Sequence, residues 1–131
     1  ISKWNISKVK HIERMFYGCE NFDCDLSKWD VSKVIHMHHM FNGCENFDCD
    51  LSKWNVSNAK YMDNMFNGCI NFKGKGLENW NVSNVITMNN MFENCKNFNC
   101  DLNNWDVSNV KDMSYMFYGC DNLKNKPSWW L

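Results

Sequence analysis

"LSKWDVSKVIHMHHMFNGCENFDCDLSKW", from Leu26 to Trp54, ends on the four letters with which it begins. The phrase recurs as Ile1-Ser2-Lys3-Trp4, Leu77-Glu78-Asn79-Trp80 and Leu102-Asn103-Asn104-Trp105. Trp4, Trp29, Trp54, Trp80 and Trp105 are therefore separated by 25, 25, 26 and 25 residues. A fixed period of this size marks a chain built from stacked units, none of which can bury its apolar face alone.

With each of these tryptophans as column zero, the letters sort themselves. Column 2 is Ile6, Val31, Val56, Val82 and Val107, and column 3 is always Ser. Column 8 is Ile12, Met37, Met62, Met88 and Met113, and column 11 is Met15, Met40, Met65, Met91 and Met116. Phe fills column 12 throughout, Cys column 15 and Asn column 17, while column 18 is Phe22, Phe47, Phe72, Phe98 and Leu123. All nine Phe and all nine Met fall in four columns, and all eight Cys in two. The columns between them vary and are mostly polar. Fixed apolar columns face a core, and variable polar columns face water.

Columns 8, 11, 12 and 15 are spaced i, i+3, i+4, i+7, which predicts one face of a short helix. Column 14 is Gly or Asn, residues that tolerate a left-handed C-cap. Ser in column 3 is placed to cap the entry to this helix or to bond in the turn before it. The Trp-x-Val and Asp-Leu segments read as short strands. The expected fold is thus an α/β solenoid, a single domain over residues 1–131 with coils 4–28, 29–53, 54–79, 80–104 and 105–131. The extra residue in Phe72-Lys73-Gly74-Lys75-Gly76-Leu77 fits a bulged turn. Residues 124–131, with Pro127, Trp129 and Trp130, read as a C-terminal cap. The N-terminus opens in mid-phrase and reads as truncated, leaving an uncapped end suited to self-association.

Composition excludes several classes. Net charge is -1, and the 14 basic and 15 acidic residues are spread along the length. No basic stripe favours nucleic acid, and no apolar run approaches the roughly 20 residues that span a bilayer. No signal peptide is visible.

The cysteines leave two readings open. Column 20 adds Cys24, Cys49 and Cys100, so Cys19–Cys24, Cys44–Cys49 and Cys95–Cys100 are conceivable disulfides. Yet Cys69 and Cys120 keep their place without such a partner, as small buried thiols would. Among polar clusters, His36, His39 and His11 offer at most a surface divalent-metal site. Asp25, Asp50 and Asp101 offer some oxygens for calcium, or local turn bonds. Asn5, Asn55 and Asn81 begin Asn-x-Ser sequons, but Asp replaces them in the other copies, so the shared need is a short turn-making side chain. No nucleophile is accompanied by a base in the same way twice. The chain is read as non-enzymatic, with no cofactor and no assigned metal ligand.

The pattern W-[DN]-V-S-x-V-x-x-M-x-x-M-F-x-[GN]-C-x-N-F-x-x-D-L-S-x-W resembles the repeat of BspA-like leucine-rich-repeat surface proteins. Its most specific parts are Trp29-Asp30-Val31-Ser32, Met37-x-x-Met40-Phe41 and Asp50-Leu51-Ser52-x-Trp54. The resemblance covers essentially the whole chain. It implies a right-handed, leucine-rich-repeat-like stack in a surface or secreted protein that binds other proteins, and it carries over no catalytic residue. Cys in column 15, where that family commonly has Ala, suggests a reducing cytoplasm as the alternative location.

Partner recognition then has to come from the variable columns. His11, His36 and Tyr61 in column 7 form the expected contact stripe, extended by His39 and Tyr115 in column 10 and by Tyr17 and Tyr118 in column 13. Lysines of columns -1 and 4 make a second face, basic toward the N-terminus. The expected function is an interaction or adhesion module for a protein or glycan partner. A spacer or coat element is the alternative, and a metal-binding surface protein a remote one.

Overall fold

The computed structural model describes Ile1 and residues 3–130. Successive copies lie one on another in the tryptophan register. His11 pairs with His36, His36 with Tyr61, Tyr61 with Thr87 and Thr87 with Asp112, each through an isolated parallel bridge. Among the described residues these bridges are the only strand-like pairing. Among the described residues the only helical segment is the three-residue 3-10 turn Leu77–Asn79.

The expectation of an α/β solenoid is overturned: the coils contain neither the helix nor the strands assigned to them. The cause lies in two backbone positions. Column 10, with Arg14, His39, Asn64, Asn90 and Tyr115, is left-handed in every coil, with φ from 57° to 59°. So is column 14, with Gly18, Gly43, Gly68, Asn94 and Gly119, where φ runs from 60° to 80°. A right-handed helix cannot pass through either.

Amides that a helix would return to its own previous turn bond instead to the next coil. The N–H groups of Ile12, Arg14, Phe16 and Gly18 donate to the carbonyls of His36, His38, Met40 and Asn42 at 2.7–3.1 Å. Met37, His39, Phe41 and Gly43 repeat this with Tyr61, Asp63, Met65 and Asn67. Within a coil the bonds that close are short-range turn bonds, i→i−3 as from Met40 to Met37 and from Met65 to Met62, both at 3.2 Å, and i→i−2 as from Glu20 to Gly18 at 3.0 Å. Turns hinged on a left-handed residue thus turn columns 8, 11, 12 and 15 inward in the middle coils without a helix, while Met15 and Cys19 of the first coil are exposed.

The core is a set of ladders along the stack. Phe16, Phe41, Phe66, Phe92 and Phe117 lie nearly parallel, with centroids 5.6–5.8 Å apart and interplanar angles of 3–11°. In the first four coils the column 12 ring stacks on that of column 18, as Phe41 does on Phe47 at 4.1 Å. Met37, Met40, Met62, Met65, Met88 and Met91 are fully buried. The tryptophans of the later coils are buried, and their indole N–H groups find partners there. Trp54, Trp80 and Trp105 donate to the carbonyls of Leu26, Leu51 and Leu77 at 2.8–3.0 Å.

Polar columns hold the turns. The column 1 side chain accepts the N–H of the column 3 serine, from Asn5 with Ser7 to Asp106 with Ser108. Asp25, Asp50 and Asp101 do the same for Ser27, Ser52 and Asn103 at 2.9 Å. The serines are therefore receivers of Asx turns and cap no helix. Asn21, Asn46, Asn71, Asn97 and Asn122 form an amide ladder, each donating to the one before at 3.0–3.5 Å. At the inserted residue Gly76 has φ 96°, and a Cβ there would run into the backbone of Ser52. At the far end Trp129 donates to the Leu102 carbonyl at 2.8 Å, and Trp130 meets Phe117 edge-on at 5.1 Å. Leu131, the last residue of the expected cap, lies outside the described residues, as does Ser2.

Candidate interaction surface

Column 7 is where the backbones pair, so its side chains are held in line. His11 stacks on His36 with centroids 4.2 Å apart and planes 11° apart, and His36 on Tyr61 at 4.8 Å and 27°. These separations match the spacing of hydrogen-bonded backbones, about 4.8 Å. The three rings form one ribbon that stops at Tyr61, because Thr87 follows.

His39 stands at the left-handed hinge, not on a helix with His36. Its Nδ1 shares a hydrogen bond with Asn42 Nδ2 at 3.0 Å, and its Nε2 lies 3.9 Å from Asp63 Oδ2. Tyr17, well exposed, leans on the His39 ring at 6.0 Å. The structure therefore groups His11, His36, Tyr61, His39 and Tyr17. Tyr115 and Tyr118 are apart from these, as an exposed edge-to-face pair at 6.2 Å on the last coil. In the coils between, the same columns carry a polar network of Asn64, Asn67, Asn90 and Glu93.

His38 belongs to this surface and was absent from the expected set. Its ring is edge-on to both His36 and Tyr61. With Asp63, Thr87 and Asn89 these three rings line a shallow cleft of about 350 Å³. Thr87 Oγ1 donates to Asp63 Oδ1 at 2.8 Å and fixes that carboxylate at the cleft wall. The available signal was alternation: columns 7 and 9 flank the inward methionine of column 8, so they point outward together.

Burial and the nearby His11 hold the His36 pKa below its usual 6.5, and burial does the same for His39. No group of three or more His, Cys, Asp or Glu among the described residues is placed to hold a metal ion. All eight cysteines are free thiols, with no bridge between Cys19 and Cys24, Cys44 and Cys49 or Cys95 and Cys100. On the second face, Asn58, Asn84 and Asn109 donate to the carbonyls of Ser32, Ser57 and Ser83 at 2.6–2.7 Å, tying coil to coil. Lys8 and Lys33 occupy that column in the first coils and stay exposed. Among the described residues no helix is long and apolar enough to cross a membrane.

These features define a class: a stacked-repeat protein whose core is fixed by column and whose outer face varies. Residues 1–75 and 60–131 both match the model of the family described as "Mycoplasma protein of unknown function, DUF285", and the chain belongs to that family. No curated protein and no solved structure matches it.

Proposed function

We propose that the chain is a non-enzymatic interaction module that presents the ribbon His11–His36–Tyr61 and its cleft to a protein or glycan partner. The ribbon is the observation that carries this reading. Rings stacked face to face expose their edges, so imidazole nitrogens and a phenol oxygen stand in line as hydrogen-bonding groups. They are ordered before any partner arrives, which lowers the entropy lost on binding. His38, Asp63 and Asn89 add polar groups beside them. Similarity to BspA-like surface repeats points to display at a cell surface or secretion. The free thiols favour a reducing cytoplasm as the alternative.

The test is retention of the chain on intact cells and on immobilised cell-surface glycans. Replacing His36 and Tyr61 by Ala together abolishes retention if the reading is right, whereas Asn104→Ala, at an exposed residue outside the ribbon and its cleft, does not. Equal retention by all three chains would refute the named surface. A second reading, a spacer in a longer array, is favoured by the near-identical Ser and Asn columns. It makes both variants silent in retention and predicts rod-like extension of tandem copies in small-angle scattering.

A further inference from the structure

Beside the ring ribbon, column 6 reads Lys10, Ile35, Lys60, Ile86 and Lys111, a lysine in every second coil. Lys10, Lys60 and Lys33 line a shallow cleft of about 380 Å³, completed by Ile35 and Asn58. No carboxylate lines it. Among the described residues these three lysines make no ion pair, whereas Lys73 and Lys75 are held by Asp48 and Asp50. Asp30 is felt by Lys33, but its Oδ1 is engaged by the Ser32 amide at 3.0 Å. Three unpaired ammonium groups around one concavity make a local positive field in a chain of nearly zero net charge.

Hydrogen-bonded backbones lie about 4.8 Å apart, so Lys10 and Lys60 stand roughly 9.6 Å apart along the stack, with Lys111 a similar step further. Half-buried Ile35 and Ile86 fill the intervening coils. The row therefore alternates a cation with an apolar surface, with a period of two coils. A polymer that fits must alternate too, an acidic unit followed by a neutral one. A linear polysaccharide with one acidic group per disaccharide does so. A single-stranded nucleic acid bears a phosphate at every unit, and an extended acidic peptide repeats its side chains on one face about every 6.8 Å, short of this step.

We propose that this lysine row binds a linear acidic polysaccharide carrying one carboxylate per disaccharide, with its acidic groups on Lys10, Lys60 and Lys111 and its neutral units over Ile35 and Ile86. The inference rests on the reading of the stack as a binding module but uses residues outside the ring ribbon. The probe is hyaluronate oligosaccharide, titrated calorimetrically into the full chain at low ionic strength. Lys10→Gln with Lys60→Gln is expected to weaken binding about tenfold, and added salt to weaken it further. Lys124→Gln with Lys126→Gln, the same charge change elsewhere, is expected to leave it unchanged.

Poly-glutamate of equal charge is expected to bind more weakly. Absence of hyaluronate binding would overturn the proposal, as would equal losses in both lysine pairs or equal affinity for poly-glutamate. Binding that survives His36→Ala with Tyr61→Ala supports the lysine row independently of the ribbon. Loss there, with the Lys10/Lys60 variant unaffected, would move the ligand to the ribbon and overturn the placement.

Discussion

The Sγ of Cys69 lies 3.0 Å from the carbonyl oxygen of Phe41, 28 residues earlier, and donates its S–H to it. Cys44, Cys95 and Cys120 repeat the contact with Phe16, Phe66 and Phe92 at 2.9–3.0 Å. Burial keeps Cys69 and Cys95 protonated by raising their pKa far above the usual thiol range, and it pushes Cys44 up to about 12. Column 15 therefore holds a small donor, which explains its constancy better than size alone.

Cys69→Ala removes the donor and leaves a small void, and is expected to cost about 1–2 kcal/mol in urea unfolding. Alkylation of the native chain followed by peptide mass mapping should label exposed Cys19 first and fully buried Cys69 and Cys95 last. Early labelling of Cys95 would contradict the ladder.

Phe66 is the midpoint of the aromatic stack and touches Phe41, Phe92, Phe72 and Trp80. Phe66→Ala is expected to destabilise by about 3–5 kcal/mol. Trp4→Ala, at a ring 54% exposed, should cost far less. Calorimetric melting of both variants checks the ordering.

Arg14 is held at φ 59° without a side-chain hydrogen bond among the described residues. Arg14→Gly should therefore be neutral or stabilising by up to about 1 kcal/mol, although glycine is usually costly. Arg14→Val should destabilise by about 1–2 kcal/mol, since a β-branched residue resists positive φ. Thermal unfolding of the pair reads this directly.

Acid should weaken the fold in two windows. His36 and His39 are held below their usual 6.5, so the unfolded chain takes up protons first, and the stability they support above 6.5 is lost as pH falls below it. Asp25, Asp30, Asp50, Asp106 and Asp112 are held below 3.8 by the serine two residues on, through its amide and hydroxyl. Their contribution is present above 3.8 and lost as pH falls through the lowered values. Urea midpoints measured across pH should show both declines. His36→Asn with His39→Asn should flatten the first only.

Register, core columns and turn chemistry were all readable in the letters. The Trp spacing fixed which residues stack, and Asn81 replacing Asp30 revealed a shared turn-making role before any Asx turn was seen. The helix was misread for a definite reason. An i, i+3, i+4, i+7 pattern reports which side chains face inward, and linked turns satisfy it as well as a helix does. The contrary signal lay in column 10, where Arg14, Asn64 and Tyr115 have nothing in common chemically except the backbone they adopt. Glycine would have announced that conformation, but arginine and tyrosine conceal it. The ribbon was half legible for the same reason. Column 7 was known to vary, but its pairing across coils depends on amides freed by the absence of a helix, and His38 became visible only with it.

The most direct test of the account is a methyl and aromatic NOE map of the chain with labelled Met and Phe. The account predicts cross-peaks between residues one coil apart, Met40 with Met65 and Met91 with Met65, and Phe66 with both Phe41 and Phe92. It also predicts no run of Hα–HN contacts between residues four apart over columns 8–15. A map with that helical run, or without the cross-coil contacts, would contradict it.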